Sequence, residues 1–108
     1  MKTIEFSSEF DQKVLQYLRR NYSKIFSKGW NYNNSTLAVF VHEEYVLRTS
    51  SNQTITIIFE PTGIGGKSRI TIISSGGGQG LFGFDWGSQN AAENTLVKRI
   101  KEITASNY

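Results

Sequence analysis

Thr54-Ile55-Thr56-Ile57-Ile58-Phe59-Glu60 and Arg69-Ile70-Thr71-Ile72-Ile73-Ser74 flank the segment Pro61-Thr62-Gly63-Ile64-Gly65-Gly66-Lys67. Both flanks are short, rich in β-branched residues and bounded by turn formers, which is the pattern of a β-hairpin. Ile55, Ile57 and Phe59 alternate with Thr54, Thr56 and Ile58, and Ile70 and Ile72 alternate with Arg69, Thr71 and Ile73. Side chains alternate across a strand, so the hairpin presents one apolar face and one face rich in threonine and charge. Gly63, Gly65 and Gly66 supply the positive φ that such a turn needs.

Upstream, Thr36–Val41 (TLAVFV) is a second β-prone run. Tyr45–Arg48 follows it after His42-Glu43-Glu44, which reads as a tight turn, and Asn31–Ser35 (NYNNS) is a turn cluster. At the start, Ile4 and Phe6 alternate with Thr3 and Glu5, predicting a short strand over Lys2–Phe6.

Two segments have helical periodicity. From Ser8 to Ser27, Phe10, Val14, Tyr17, Leu18, Tyr22, Ile25 and Phe26 fall on one stripe. Ser7 or Ser8 is the expected N-cap, with Glu9 and Asp11 in the first turn. Arg19, Arg20, Lys24 and Lys28 lie toward the other end, and Gly29 is the expected stop. From Gln89 to Thr104, Ala92, Leu96, Ile100 and Ile103 repeat in the same way. Asn90 and Glu93 have the spacing of a capping box, and Lys98, Arg99 and Lys101 crowd the C-terminal half. The expected fold is therefore α+β: an antiparallel sheet of four to five strands packed against an N-terminal and a C-terminal helix, similar to a helix-grip arrangement.

The 108 residues suit a single domain spanning 1–108. There is no cysteine, which removes disulfides, thiolate metal sites and thiol nucleophiles, and favours a cytoplasmic location. The N-terminal MKTIEFSSEF carries charge and no apolar run, so it is not read as a signal peptide, and no apolar stretch is long enough for a membrane helix. Net charge is +3, which permits acidic partners without requiring them.

Several resemblances to catalytic or phosphate-binding patterns do not survive their context. Gly78-Gln79-Gly80-Leu81-Phe82-Gly83 matches G-x-G-x-x-G, but the helix begins several residues later and no second strand follows to complete a βαβ unit. Gly66-Lys67-Ser68 resembles the end of a phosphate loop, yet Pro61 stands where the first glycine belongs, and Ser68 leads into a strand. His42 is the sole histidine. Its context, HEEYV, is not a zinc motif, and it reads as a solvated hairpin tip. The basic residues near the helix ends complement the helix dipoles, so a nucleic-acid partner is not expected. Trp30 and Tyr32 read as anchors for the exit from the first helix. No catalytic residue, metal or cofactor is predicted.

The remaining feature is Ser74–Gly87, SSGGGQGLFGFDWG. Six glycines in fourteen residues are costly in chain entropy, and Phe82, Phe84 and Trp86 alternate with smaller or polar residues. The segment serves either as a packing device or as a binding loop whose amides receive a ligand, with Asp85 capping or pairing with Arg48 or Arg69. The runs Glu44–Arg48, Thr54–Ile58, Ser75–Gly80 and Phe84–Gly87 resemble a small bacterial family designated a domain of unknown function, with a GGGxG…FDWG hallmark. The resemblance implies no activity. The functional expectation is a non-enzymatic binding module for a small ligand or a protein partner. It would use the cleft between the sheet and the C-terminal helix, or the loop residues Gly76, Gly77, Gly78, Gly80, Phe82, Asp85 and Trp86 with Arg48. The alternatives are a small enzyme or nucleotide/anion binder using the same loop, and a protein-interaction domain that is a monomer or a weak homodimer.

Overall fold

The computed structural model describes residues 1–32, 35–46, 51–76 and 88–105. The hairpin forms as its alternation requires: β4 (Ser51–Pro61) pairs antiparallel with β5 (Lys67–Gly76), with Ile57 opposite Ile72 and Phe59 opposite Ile70. Gly63, Gly65 and Gly66 all have positive φ, at 81°, 45° and 66°. The turn is closed by Thr62 N–H on Lys67 O and Lys67 N–H on Ile64 O. This hydrogen-bonded turn is where the phosphate-loop resemblance would have needed a helix to start.

The other strands are β1 (Lys2–Ser7), β2 (Phe26–Tyr32) and β3 (Ser35–Val46). The five strands run in the order β1-β5-β4-β3-β2, and every neighbouring pair is antiparallel. A 3₁₀ turn (Ser8–Phe10) leads into α1 (Asp11–Asn21), and α2 (Ser88–Ala105) follows the sheet. Ser7 caps the 3₁₀ turn, its Oγ accepting from Glu9 N–H. Ser8 donates from both N–H and Oγ to Gly66 O, tying the start of the helix to the hairpin turn.

Both helices cover the same face. Phe6, Ala38, Phe40, Ile55, Ile57, Phe59, Ile70 and Ile72 from the strands meet Val14, Leu15 and Leu18 of α1 and Leu96 and Ile100 of α2 in one buried cluster. The α+β sheet-and-two-helix architecture read from sequence is the architecture observed.

Two elements depart from the sequence reading. The first helix ends at Asn21 rather than running to Ser27, and Gly29 lies within β2 rather than stopping a helix. The local cause is visible: Asn21 Nδ2 donates to Tyr17 O and Ser23 Oγ donates to Arg19 O, so side chains take over carbonyls of the last turn. Ile25 and Phe26 keep helical spacing by coincidence and are exposed, Phe26 as the first residue of a strand. Second, His42-Glu43-Glu44 is not a turn. β3 runs straight through it, with His42 opposite Ile55 and Glu44 opposite Gln53, so what was read as two short strands is one of twelve residues.

Candidate functional site

With both helices on one face, the other face of the sheet is left uncovered by α1 and α2, and the register states what it carries. Val41 stands between Phe26 and Thr56, Val39 between Lys28 and Ile58, and Leu37 is opposite Trp30. The β1–β5 end of this face is charged: Arg69 bridges Glu5 (3.4 Å) and Glu60 (3.6 Å), its register partners on both sides. The β2–β3 end is apolar and wet. Phe26 is 48% exposed, Trp30 41%, Tyr32 75% and Leu37 41%. Singly exposed apolar residues need no explanation, but contiguous ones on one surface mark a contact region.

At this end a depression of about 430 Å³ is lined by Trp30, Tyr32, Ser35, Thr36, Leu37, Glu60 and Pro61. Trp30 and Tyr32 reach it because β2 is extended, so alternate residues share a face. Thr36 Oγ1 donates to Asn31 Oδ1 at 3.0 Å across the β2–β3 end, and Lys28 Nζ lies 5.3 Å from the Trp30 ring centroid. The volume falls in the range of ligand sites, and the chemistry is that of one: aromatic walls with a carboxylate and hydroxyls at the rim. Sequence reasoning missed this cradle because it placed Trp30 and Tyr32 at a helix exit. The period-two spacing of Phe26, Lys28, Trp30 and Tyr32 was the available signal.

A second, polar cleft of about 390 Å³ lies beside the hairpin turn, lined by Ser8, Asp11, Thr36, Gly66, Lys67 and Ser68 among others. Ser68 is buried and its Oγ donates to Asp11 Oδ1 at 2.7 Å. Burial raises the Asp11 carboxyl above its usual value, and the Ser68 bond pulls it part of the way back. Serine and aspartate without a histidine do not make a nucleophile–base relay. His42 lies six residues along β3 from Thr36, about 20 Å away at strand rise. The pair instead fastens α1 to β5.

His42 itself is not a solvated tip. It faces the helices, half-buried, with its ring 5.1 Å from that of Tyr22, and Nδ1 is buried with no hydrogen-bond partner. Burial pushes its pKa below 6.5, aided by Lys24 and opposed by Glu44 and Glu43. Burial, with Tyr17 and Glu44 nearby, holds the Tyr22 hydroxyl up at about 12. A histidine whose folded pKa is depressed favours the native state while neutral, so its contribution is intact above pH 6.5. It is lost as pH falls through the folded value. Urea unfolding at pH 7.5 and pH 5 should therefore show a loss of stability on acidification that is smaller in His42→Phe than in the parent.

On α2, Glu93 is 2% exposed and does not act as a capping-box residue. Its Oε2 accepts from Ser74 Oγ (2.6 Å) and Ser74 N–H (3.2 Å), and Oε1 lies 3.1 Å from the terminal ammonium of Met1. Burial raises its pKa, but these donors outweigh burial and leave it below 4.5. Between α2 and the sheet the space is packed with Leu96, Ile100, Ile57 and Ile72, so this part of the expected binding cleft is core. Of the loop residues predicted to bind, Gly76 ends β5 opposite Gln53. Arg48, Gly77, Gly78, Gly80, Phe82, Asp85 and Trp86 lie outside the described residues. Among the described residues, no group of three or more His, Asp or Glu side chains is placed to hold a metal ion.

The profile of a family of unknown function, DUF6054, matches residues 5–104, from within β1 to the end of α2. The chain belongs to that family. All five strands and both helices thus fall at least partly within the DUF6054 match, and the aromatic face of β2 and β3 lies inside it. No curated protein and no solved structure matches the chain. Among the described residues no helix is long and apolar enough to cross a membrane.

Proposed function

We propose that residues 1–108 act as one cytoplasmic, non-enzymatic binding domain whose contact surface is the uncovered face of the sheet at β2 and β3. The observation that carries this reading is the aromatic cradle of Trp30, Tyr32, Leu37 and Pro61, held open on a face that neither helix covers. Its occupant is an apolar or aromatic group of a ligand or partner, stacked on Trp30 and Tyr32 and oriented by Glu60 and the hydroxyl of Ser35. The glycine segment 76–87 keeps its proposed role as a second contact on the same chain. The absence of cysteine supports the reducing compartment.

The test is a screen of small aromatic fragments (indole, phenol, benzamidine) by two-dimensional amide NMR. Shifts should concentrate on Trp30, Tyr32, Ser35, Thr36 and Leu37, including the Trp30 indole N–H, and should vanish in Trp30→Ala. Shifts confined to α2 and the β4–β5 end, or no shifts at millimolar fragment, would reject the cradle as the site.

A further inference from the structure

The cradle occupies a face, whereas β2 also has an edge. As the last strand in the order β1-β5-β4-β3-β2, it carries a row of N–H and C=O groups on the side away from β3, and all seven of its residues are exposed. Such an edge is a template for another strand unless something blunts it. Proteins commonly place a lysine there for that purpose, and β2 has Lys28 at its third position. The other edge differs. The open-face residues of β1 are Thr3, Glu5 and Ser7, and Glu5 is engaged by Arg69.

The sequence of β2, Phe26-Ser27-Lys28-Gly29-Trp30-Asn31-Tyr32, is complementary to itself when reversed about Gly29. In an antiparallel pair related by a two-fold axis through Gly29, Phe26 stands opposite Tyr32 of the second copy, Lys28 opposite Trp30, Ser27 opposite Asn31 and Gly29 opposite Gly29. On the open face this gives two aromatic pairs and two cation–aromatic pairs, each of a kind that stabilises cross-strand neighbours. The lysine that discourages strands in general meets an aromatic ring in its own kind. It already lies over its own Trp30, so no charge needs to find a new environment.

Competing registers are worse. A continuous sheet with both open faces on one side requires partners of equal parity. Centring on Lys28 sets Lys28 against Lys28, and centring on Trp30 leaves Phe26 beyond the end of the partner's strand. We infer that β2 is a homodimerisation edge, pairing with β2 of a second copy about Gly29 to form one ten-stranded sheet. Each copy then places its Phe26 and Lys28 beside the Tyr32 and Trp30 of the other, extending the wall of the aromatic cradle. Seven residues a side is well short of the 20–30 of a standard interface, so the association is weak and concentration-dependent.

The absence of native cysteine makes the register directly testable. A Cβ at Gly29 would meet only Leu37 O at 3.8 Å and Ala38 Cβ at 3.9 Å, so cysteine fits there. Opposed Cβ atoms in an antiparallel pair are close enough to approach disulfide geometry. Under oxidised glutathione, most of a Gly29→Cys chain should become a covalent dimer, whereas Ser27→Cys, displaced from its own copy by four residues along the strand, should form no cross-link. Light scattering of the unmodified chain should give a mass rising from 12.2 kDa toward twice that value with concentration. Trp30→Lys, which opposes lysine to Lys28 twice, should weaken dimerisation about tenfold, and the exchange of both residues (Lys28→Trp with Trp30→Lys) should restore it. A mass fixed at 12.2 kDa up to millimolar concentration, or Ser27→Cys cross-linking as readily as Gly29→Cys, would overturn the inference. These readouts are independent of fragment binding at the cradle.

Discussion

Phe59→Ala is expected to cost about 3–5 kcal/mol, enough to leave a domain of ordinary stability largely unfolded at moderate urea. Phe59 is fully buried in the hairpin strand β4, its ring 6.1 Å from that of Phe6 on β1. Its register neighbours are Ile70 on β5 and Ala38 on β3. The methyl group of Ala38 is too short to collapse into the void, so most of the cavity would persist. The check is the midpoint of urea unfolding followed by far-ultraviolet circular dichroism. Phe59→Leu, which keeps much of the volume, should recover more than half of the loss. An alanine variant as stable as the parent would mean that the β1–β4 layer is not the centre of the core.

Glu93→Ala is the second large effect, expected at about 2–3 kcal/mol near pH 7. The substitution removes a buried carboxylate that accepts two hydrogen bonds from Ser74 and holds α2 against β5. The pH dependence separates this from a simple loss of packing. The folded-state pKa of Glu93 lies below 4.5, so its charge-dependent contribution is complete above pH 4.5 and lost as pH falls through the folded value. The gap between the parent and Glu93→Ala should therefore narrow at pH 3. Glu93→Gln, which keeps an acceptor but no charge, should fall between the two at pH 7. A gap independent of pH would assign the role of Glu93 to its methylenes.

How far the sequence could be read depended on whether local pattern and tertiary context agreed. At the β4–β5 hairpin they agree: alternation, β-branched residues and a glycine turn all require the same geometry, and the buried set Ile55, Ile57, Phe59, Ile70 and Ile72 is the one that alternation selects. The same holds for Ala92, Leu96, Ile100 and Ile103 on α2, which face the core. Where they disagree, context wins. Ile25 and Phe26 extend a helical period, but the helix ends before them and the chain reverses into an edge strand. His42, Glu43 and Glu44 look like a turn because they are polar. In β3 all three are partly buried, Glu43 on the face that the helices leave uncovered and His42 and Glu44 on the helix side, at a margin where polar groups are tolerated. The candidate site was hidden for the same reason: a sheet face left bare of helices is a property of topology, and only the alternation of Phe26, Trp30 and Tyr32 hints at it locally.

The position of β1 bears on how the domain assembles. β4 and β5 meet across a turn of a few residues, but β1 must find β5 across roughly sixty, with Ile4 set against Ile70. Closing the longer loop costs about 2 kcal/mol more in chain entropy, so the hairpin is the natural nucleus and β1 the last strand to dock. Changes in the hairpin then act on the rate of folding, whereas changes in Lys2–Ser7 act mainly on the rate of unfolding. Until β1 arrives, β5 is itself an unpaired edge. For that interval the ten-residue β5 stands at the edge in place of the six-residue β1, which is when an unfolded neighbour is most readily captured there.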